Sequence, residues 1–374
     1  MRLYLKLNDT GSGDVTYPLD RAEASAITIG SWVDMKYRGT SLGGFWCERI
    51  ELVTINQSER SGRVLHATGR GALAILDDAI VADWGTPGME MTRYFNTEDG
   101  GDNFTDPMNK KGWILHRLIH EALEIQTNPA LQTMERFCWH DSSGNHLLAH
   151  AFSNTVDSDS IAWDVAEDVS LEAGVGTSLF DIVRQYSALG QPTAGLVFDI
   201  EASYNTSTGI TTFGIHQTPI GISAANAVIH FRVGHNCTSV SDVTDMADLR
   251  NSGLVAYNGT SSPDTDIPDD TVSIAAYRRR ECLLNAANAS SDTDAAAYGA
   301  VLISALAYPK RSVTMRVTDA ATIKYGSHYN LGDHVYYDDG TGVETTFRIW
   351  GIQLEWDDST LNATLELRNY ADGY

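Results

Sequence analysis

Cysteine is scarce in this chain, with four among 374 residues: Cys47, Cys138, Cys237 and Cys282, none in C-x-x-C spacing. The scarcity excludes a zinc knuckle and a disulfide framework and leaves buried free thiols as the expectation. Cations are few as well: Lys and Arg number 26 against 49 Asp and Glu, a formal net charge of -23. The basic cluster that exists is small, Arg278, Arg279 and Arg280. Such a surface repels phosphates and anionic headgroups, which argues against nucleic-acid binding by backbone neutralisation. No apolar run reaches the roughly 18–20 residues a membrane helix needs. The start, Met1-Arg2-Leu3-Tyr4-Leu5-Lys6, turns polar too early for a signal peptide, so folding in a cytoplasm is expected. A phosphate-binding loop is missing too, because Gly69-Arg70-Gly71 continues without the later glycine or the Lys-Ser/Thr pair. Triplets such as Asn258-Gly259-Thr260 match a glycosylation acceptor, but without secretion they carry no meaning.

What is present is an ordinary globular composition, 43% hydrophobic and 20% charged, with length for two or three domains. The stretch Tyr329 to Leu367 reads as short strands, with a tight Leu331-Gly332-Asp333 corner, a Gly-Thr-Gly turn at 340–342 and another turn at Asp357 to Ser359. The chain states this pattern twice. A constant offset of 302 positions places Gly30 on Gly332, Val33 on Val335, Phe45 on Phe347, Ile50 on Ile352 and Leu52 on Leu354, without a gap. Identity is low, so the repeat rests on shared strand and turn pattern as much as on matched residues.

Along the chain, residues 1–67 alternate strands and turns, and Gly71 through Ile80 reads as a helix able to cover the open end of a small barrel. Residues 96–106 are a polar loop, and Trp113 to Leu123 is an amphipathic helix. A capped helix at 178–186 precedes a hairpin from Leu196 to His216. Strands at 226–236 and 253–259, a helix from Ala295 to Tyr308 behind the N-cap Ser291, and a strand at 312–317 complete the pass. The fold class expected is mainly β: two related small β-barrel domains of the tube type, at 1–85 and 226–374, the second with a preceding helix. Between them, 86–225 is expected to be an α/β insertion.

Candidate chemistry is thin. Gly39-Thr40-Ser41-Leu42-Gly43 satisfies G-x-S-x-G, but a nucleophile elbow needs a helix after the serine, and Phe45 to Val53 reads as a strand. A hairpin turn is the better reading. His116 and His120, with Glu121, share a helix face without the HExxH order. His140, Asp141, His146 and His150 form a looser group, and both sets read as ordinary polar histidines. Asp264, Asp266, Asp269 and Asp270 lack the calcium-loop register and read as solvated carboxylates. No catalytic, cofactor or metal residues are therefore assigned.

The order of parts resembles the baseplate hub, or tail-tip hub, proteins of long-tailed bacteriophages, whose fold is shared with contractile injection machines. The residues that carry the resemblance are Val64 to Gly71 running into Leu73 to Leu76, Ser273 to Glu281 (SIAAYRRRE), the Ala295 to Pro309 helix with the strand after it, and Tyr325 to Val335 (YGSHYNLGDHV). Family members often have Tyr-Gly-Arg where this chain has Tyr277-Arg278-Arg279. The resemblance implies two tube-type barrels with an α/β insertion, arranged as a homotrimer around an axial channel. It further implies a virion protein, assembled in the host cytoplasm, with a tail tube or distal tail ring above and a tip, spike or fibre below. DNA is expected to pass the channel without specific binding. The alternatives are a carbohydrate-binding tail adhesin, given eight Trp and sixteen Tyr, and, more distantly, a serine hydrolase using Ser41.

Overall fold

The computed structural model describes the chain outside residues 58–59, 81–91, 96–147, 154–155, 164–170, 175, 189–198, 257–267, 286–291, 319–322, 358–359 and 370–374. Its first part is β1 (Arg2–Lys6), β2 (Ser12–Pro18), α1 (Ala22–Ala26), β3 (Trp32–Tyr37), β4 (Thr40–Gln57), β5 (Arg60–Arg70) and α2 (Ala74–Asp77). The middle contributes β6 (Thr92–Phe95), β7 (Leu148–His150), β8 (Leu171–Gly174), α3 (Leu179–Ala188), β9 (Asp199–Asn205) and β10 (Ile210–His216). The last part is β11 (His230–Arg232), β12 (Cys237–Asp245), β13 (Ser252–Ala256), α4 (Thr271–Tyr277), β14 (Glu281–Asn285), α5 (Asp292–Leu306), β15 (Lys310–Thr318), β16 (His334–Asp338), β17 (Glu344–Trp356) and β18 (Leu361–Arg368).

The protein is mainly β, and the sequence repeat is a structural one. In the first copy Val33 of β3 faces Phe45 of β4, and in the second Val335 of β16 faces Phe347 of β17. A bulge interrupts β4 against β5 between Cys47 and Arg49; the same irregularity interrupts β17 against β18 between Ile349 and Gly351, 302 positions on. The corner glycines agree as well. Gly30 and Gly332 both hold positive φ, +81° and +89°, a conformation that a side chain disfavours. Gly30 donates its N–H to the Cys47 carbonyl at 2.7 Å, and Gly332 donates to Ile349 at 2.9 Å.

The correspondence extends past the ungapped span. β2 lies on β5 with Ser12 opposite Arg70 and Pro18 opposite Val64, while β15 lies on β18 with Ser312 opposite Arg368 and Thr318 opposite Asn362. The offset is therefore 300 for β2 and β15, and 298 for β5 and β18.

The two copies do not close into separate barrels. They share one 11-stranded sheet whose main path runs β12-β15-β18-β17-β1-β2-β5-β4-β3, with β11 and β16 as a branch, and no closed ring of strands forms among the described residues. The reason is local: β1, the strand left to close the first copy, gives its outer edge to β17 of the second. One hydrophobic core serves both, from Leu3, Val15, Phe45 and Ala67 through Phe231, Met315, Val335 and Phe347 to Leu365.

The expected helix at 71–80 is a single turn, α2, whose neighbour is α3: Leu179 donates to the Ala79 carbonyl at 2.8 Å, and Ser178 Oγ donates to Asp77. The capped helix, the 199–216 hairpin, the helix before β15 and β15 itself occur as expected. β13 and β14 form a parallel pair connected through α4, with α5 packing Ile303 over Val255 and Leu284. The helix expected at 113–123 lies outside the described residues.

Candidate assembly interface

The junction between the copies is an antiparallel ladder. Arg2 faces Glu355, Leu3 faces Leu354, Tyr4 faces Gln353, Leu5 faces Ile352 and Lys6 faces Gly351. Main-chain bonds extend it at both ends: Trp356 donates to the Met1 carbonyl at 3.1 Å and Leu7 donates to Trp350 at 2.9 Å. Leu3, Ile352 and Leu354 are buried beneath it. On the other face Arg2 pairs with Glu355 at 3.1 Å, and the Tyr4 hydroxyl donates to Glu366 at 3.1 Å. Burial, with the Glu366 charge behind it, pushes the Tyr4 phenol up to about 12.

A second element spans both copies. β9 places Asp199 at one end and Tyr204 near the other, about 17 Å apart at the usual strand rise. Asp199 is buried and binds the Arg348 guanidinium through both carboxylate oxygens, while its Oδ2 also accepts the Ile220 N–H at 2.7 Å. Tyr204 packs on Trp32 and Trp46, with ring centroids 4.9 and 5.1 Å away. Trp46 and Arg348 are equivalent positions in the two copies, 302 apart, as are Trp32 and His334. β9 thus grips the same spot on each copy, once through aromatic rings and once through a buried ion pair. Asn8, just past β1, accepts the Ile200 N–H at 2.8 Å and fixes the strand between those ends.

The second-copy corner carries the rest of the docking. Asp333 accepts the Ile222 and Asn330 N–H groups, each at 2.7 Å, and Arg348 Nε donates to the Gly332 carbonyl at 3.0 Å. Behind β9, the mostly buried His216 ring lies between Asp159 at 2.9 Å and Glu201 at 3.2 Å. Burial alone would lower its affinity for a proton, but the two carboxylates outweigh it and raise the imidazole to about 9.

Several backbone edges of the sheet, those of β3 and β11 among them, have no strand beside them among the described residues, and two of these occupy equivalent places at the copies' junction. One is the β4 segment 49–53, paired only with β5; the other is β12, paired only with β15. At the β4 edge the copies differ in burial. Leu52 is 54% exposed, whereas its counterpart Leu354 is 0% exposed under β1. On β12, Val243 is 48% exposed.

The residues singled out in the sequence fall elsewhere. Ser41 sits on β4 just after the Arg38-Gly39 turn, and its hydroxyl donates to Asp34 Oδ1 at 2.6 Å; a strand follows, as the hairpin reading expected. Asp270 caps α4 by accepting the Ser273 N–H at 2.8 Å, and Asp269 pairs with Arg279 at 3.2 Å. Arg280 bonds the Met246 carbonyl. Arg70, from the glycine-flanked string, is taken by Glu48, Asp77 and Asp78. His116, His120, Glu121, His140, Asp141, His146, Asp264, Asp266, Cys138 and Asn258 lie outside the described residues, and His150 lies on β7. Among the described residues no group of three His, Cys, Asp or Glu could hold a metal ion, and no helix is long and apolar enough to cross a membrane. Cys47, Cys237 and Cys282 are free, and burial pushes the Cys237 thiol up to about 11. Sequence reasoning missed Asp199, Arg348, Asp333 and Asn8. The Asp333 signal was its place in the second-copy corner; the others look like any surface polar residue until their partners are known.

No model of a known protein family matches the chain, and no curated protein sequence does. Solved structures do match over the whole length. The 43 kDa tail protein of prophage MuSo2 from Shewanella oneidensis aligns with a TM-score of 0.57 at 12% identity, covering 98% of this chain and 93% of its own. A tail protein from Neisseria meningitidis MC58 aligns with a TM-score of 0.59 at 11% identity, covering 100% and 91%. A prophage tail protein from Listeria monocytogenes EGD-e gives 0.53 at 11%, covering 99% and 88%. With the duplicated unit, the shared sheet and the bridging β9 in place, the chain has the fold of these tail proteins.

Proposed function

We propose that this protein is a structural component of a phage tail tip or baseplate, a hub in which three copies form a ring. The observation that carries the reading is the duplication itself: one chain holds two units of the same strand order, register and bulge, side by side in one sheet. Three such chains present six near-equivalent units, a surface that can mate with a six-fold tail tube or distal tail ring on one side and a three-fold tip, spike or fibre on the other. The ring would surround the path taken by DNA. A chain of net charge -23 lines such a path without adsorbing phosphates. The role is scaffolding, not catalysis, within the virion after assembly in the host cytoplasm. Native mass measurement and the rotational symmetry of imaged particles test it: a three-chain particle with six-fold-like density supports the ring, and a peripheral fibre position in the virion overturns it.

A further inference from the structure

We infer that the open edges of β4 and β12 are the two halves of a contact between copies of this chain, made in the register that β1 and β17 already use within it. The inference rests on the ring reading above and fixes its interface. β17 corresponds to β4 at an offset of 302, so Gly351, Gln353 and Glu355 correspond to Arg49, Glu51 and Val53. β1 corresponds to β12 through their inner neighbours. Arg2 and Tyr4 face Asp14 and Ser12 of β2, while Ser241 and Val243 face Thr314 and Ser312 of β15, the same positions 300 further on. Arg2, Leu3 and Tyr4 therefore correspond to Ser241, Asp242 and Val243, and continuing the strand Lys6 corresponds to Asp245.

Transferring the observed pairs gives Val53 opposite Ser241, Leu52 opposite Asp242, Glu51 opposite Val243, Ile50 opposite Thr244, and Arg49 opposite Asp245. The pairing satisfies the main-chain edge groups of β4 and β12 that have no strand beside them among the described residues. It covers Leu52, whose counterpart is buried by this same contact inside the chain. It sets the Arg49 cation against the Asp245 carboxylate. Asp242, opposite Leu52, is already held by Arg311 at 2.6 and 3.0 Å. Because β4 lies in the first copy and β12 in the second, the contact is head to tail and can close only as a ring of alternating copies.

Cysteine pairs read the register directly. Met1 with Trp356 and Leu7 with Trp350 are hydrogen-bonded pairs of the intrachain ladder, so Tyr4 with Gln353 is a non-hydrogen-bonded pair, in which side chains approach more closely. Its transferred counterpart is Glu51 with Val243. In a Cys138→Ser, Cys282→Ser background, Glu51→Cys combined with Val243→Cys should yield a covalent three-chain product on oxidation. Two populations carrying one substitution each should yield a two-chain product only when mixed. The combination Glu51→Cys with Thr244→Cys, one residue out of register and on the opposite face, should give none. Equal cross-linking of the two combinations overturns the register. Failure of the matched pair in a particle whose native mass is still three chains overturns the register and spares the ring. A single-chain mass at every concentration removes both.

Discussion

The two copies of the duplicated unit share a backbone and disagree about chemistry. Position 46 in the first copy is Trp and its counterpart 348 is Arg, yet both hold β9. Arg70 and Arg368 are equivalent; the first pairs with Glu48 at 2.6 Å, and the second lies 5.3 Å over the Trp350 ring, which stands where Glu48 does. In the core, Leu65 and Ala67 of β5 become Ala363 and Leu365 of β18, a large-small pair reversed with all four buried. What persists is the set of backbone devices: the positive-φ corner glycine, the bulge and the strand register. Such devices fix which residues meet, and side chains can then change as long as volume and partner are kept.

The comparison is broken most severely at the ionic grip. Arg348→Ala strands Asp199, whose side chain is 1% exposed, and should cost about 3–5 kcal/mol in urea unfolding; a loss under 1 kcal/mol would show that the aromatic end alone holds β9. At equivalent leucines the copies should part clearly. Leu354→Ala should cost about 2–5 kcal/mol, whereas Leu52→Ala in an isolated chain should stay within about 0.5 kcal/mol. Equal losses would mean that Leu52 is not an uncovered counterpart. Trp46→Ala removes a half-buried ring and should cost about 2 kcal/mol, with a coupling of about 1 kcal/mol to Tyr204→Ala in a double-mutant cycle. Additivity would dissolve the aromatic grip.

His216 supplies a pH signature behind β9. Its proton affinity is higher folded than unfolded, so its contribution is full below pH 6.5 and is lost as pH rises through about 9. The stability gap between the parent chain and His216→Gln should therefore be wide at pH 6 and narrow at pH 10; a gap that widens with pH would reverse the assignment. The smallest effect is at Ser41, where Ala should change stability by no more than about 0.5 kcal/mol and leave particle assembly and ejection intact. Intact particles that fail to eject would place chemistry there.

The repeat was legible where no loop intervenes. β3 and β4 keep the 302 offset through the turn between them, so Gly30, Val33 and Phe45 align by eye with Gly332, Val335 and Phe347. Past that span, Arg63 to Ala67 of β5 could be matched with Thr360 to Leu367 of β18 only as the strand after a polar turn, without a register, and β2 was not recognised as a copy of β15, because the offset moves to 300 and then 298 as loops change length, and loops tolerate such changes at little cost. Alternation also reveals that a strand has a buried face without saying which strand lies beside it. For that reason separate barrels were expected where β1 in fact crosses to β17. The candidate interface was read least well: the proximity of Asp199 to Arg348, 149 residues apart in sequence, is a product of topology, and Leu52 alternates like any core residue.

The hairpin formed by β4 and β5 continues past the point where its counterpart turns. Trp356 and Leu361 end the β17–β18 ladder, while the first copy goes on through Ile55 with Gly62, Asn56 with Ser61 and Gln57 with Arg60. Those three further pairs amount to an arm roughly 10 Å longer. In a ring of alternating units, long and short arms would take turns around the rim, so the backbone would repeat every sixth of a circle and the outline every third. A partner resting on the common backbone would see six equal seats, and one reaching past it would meet three teeth and three gaps, like a keyed coupling between two shafts of different symmetry.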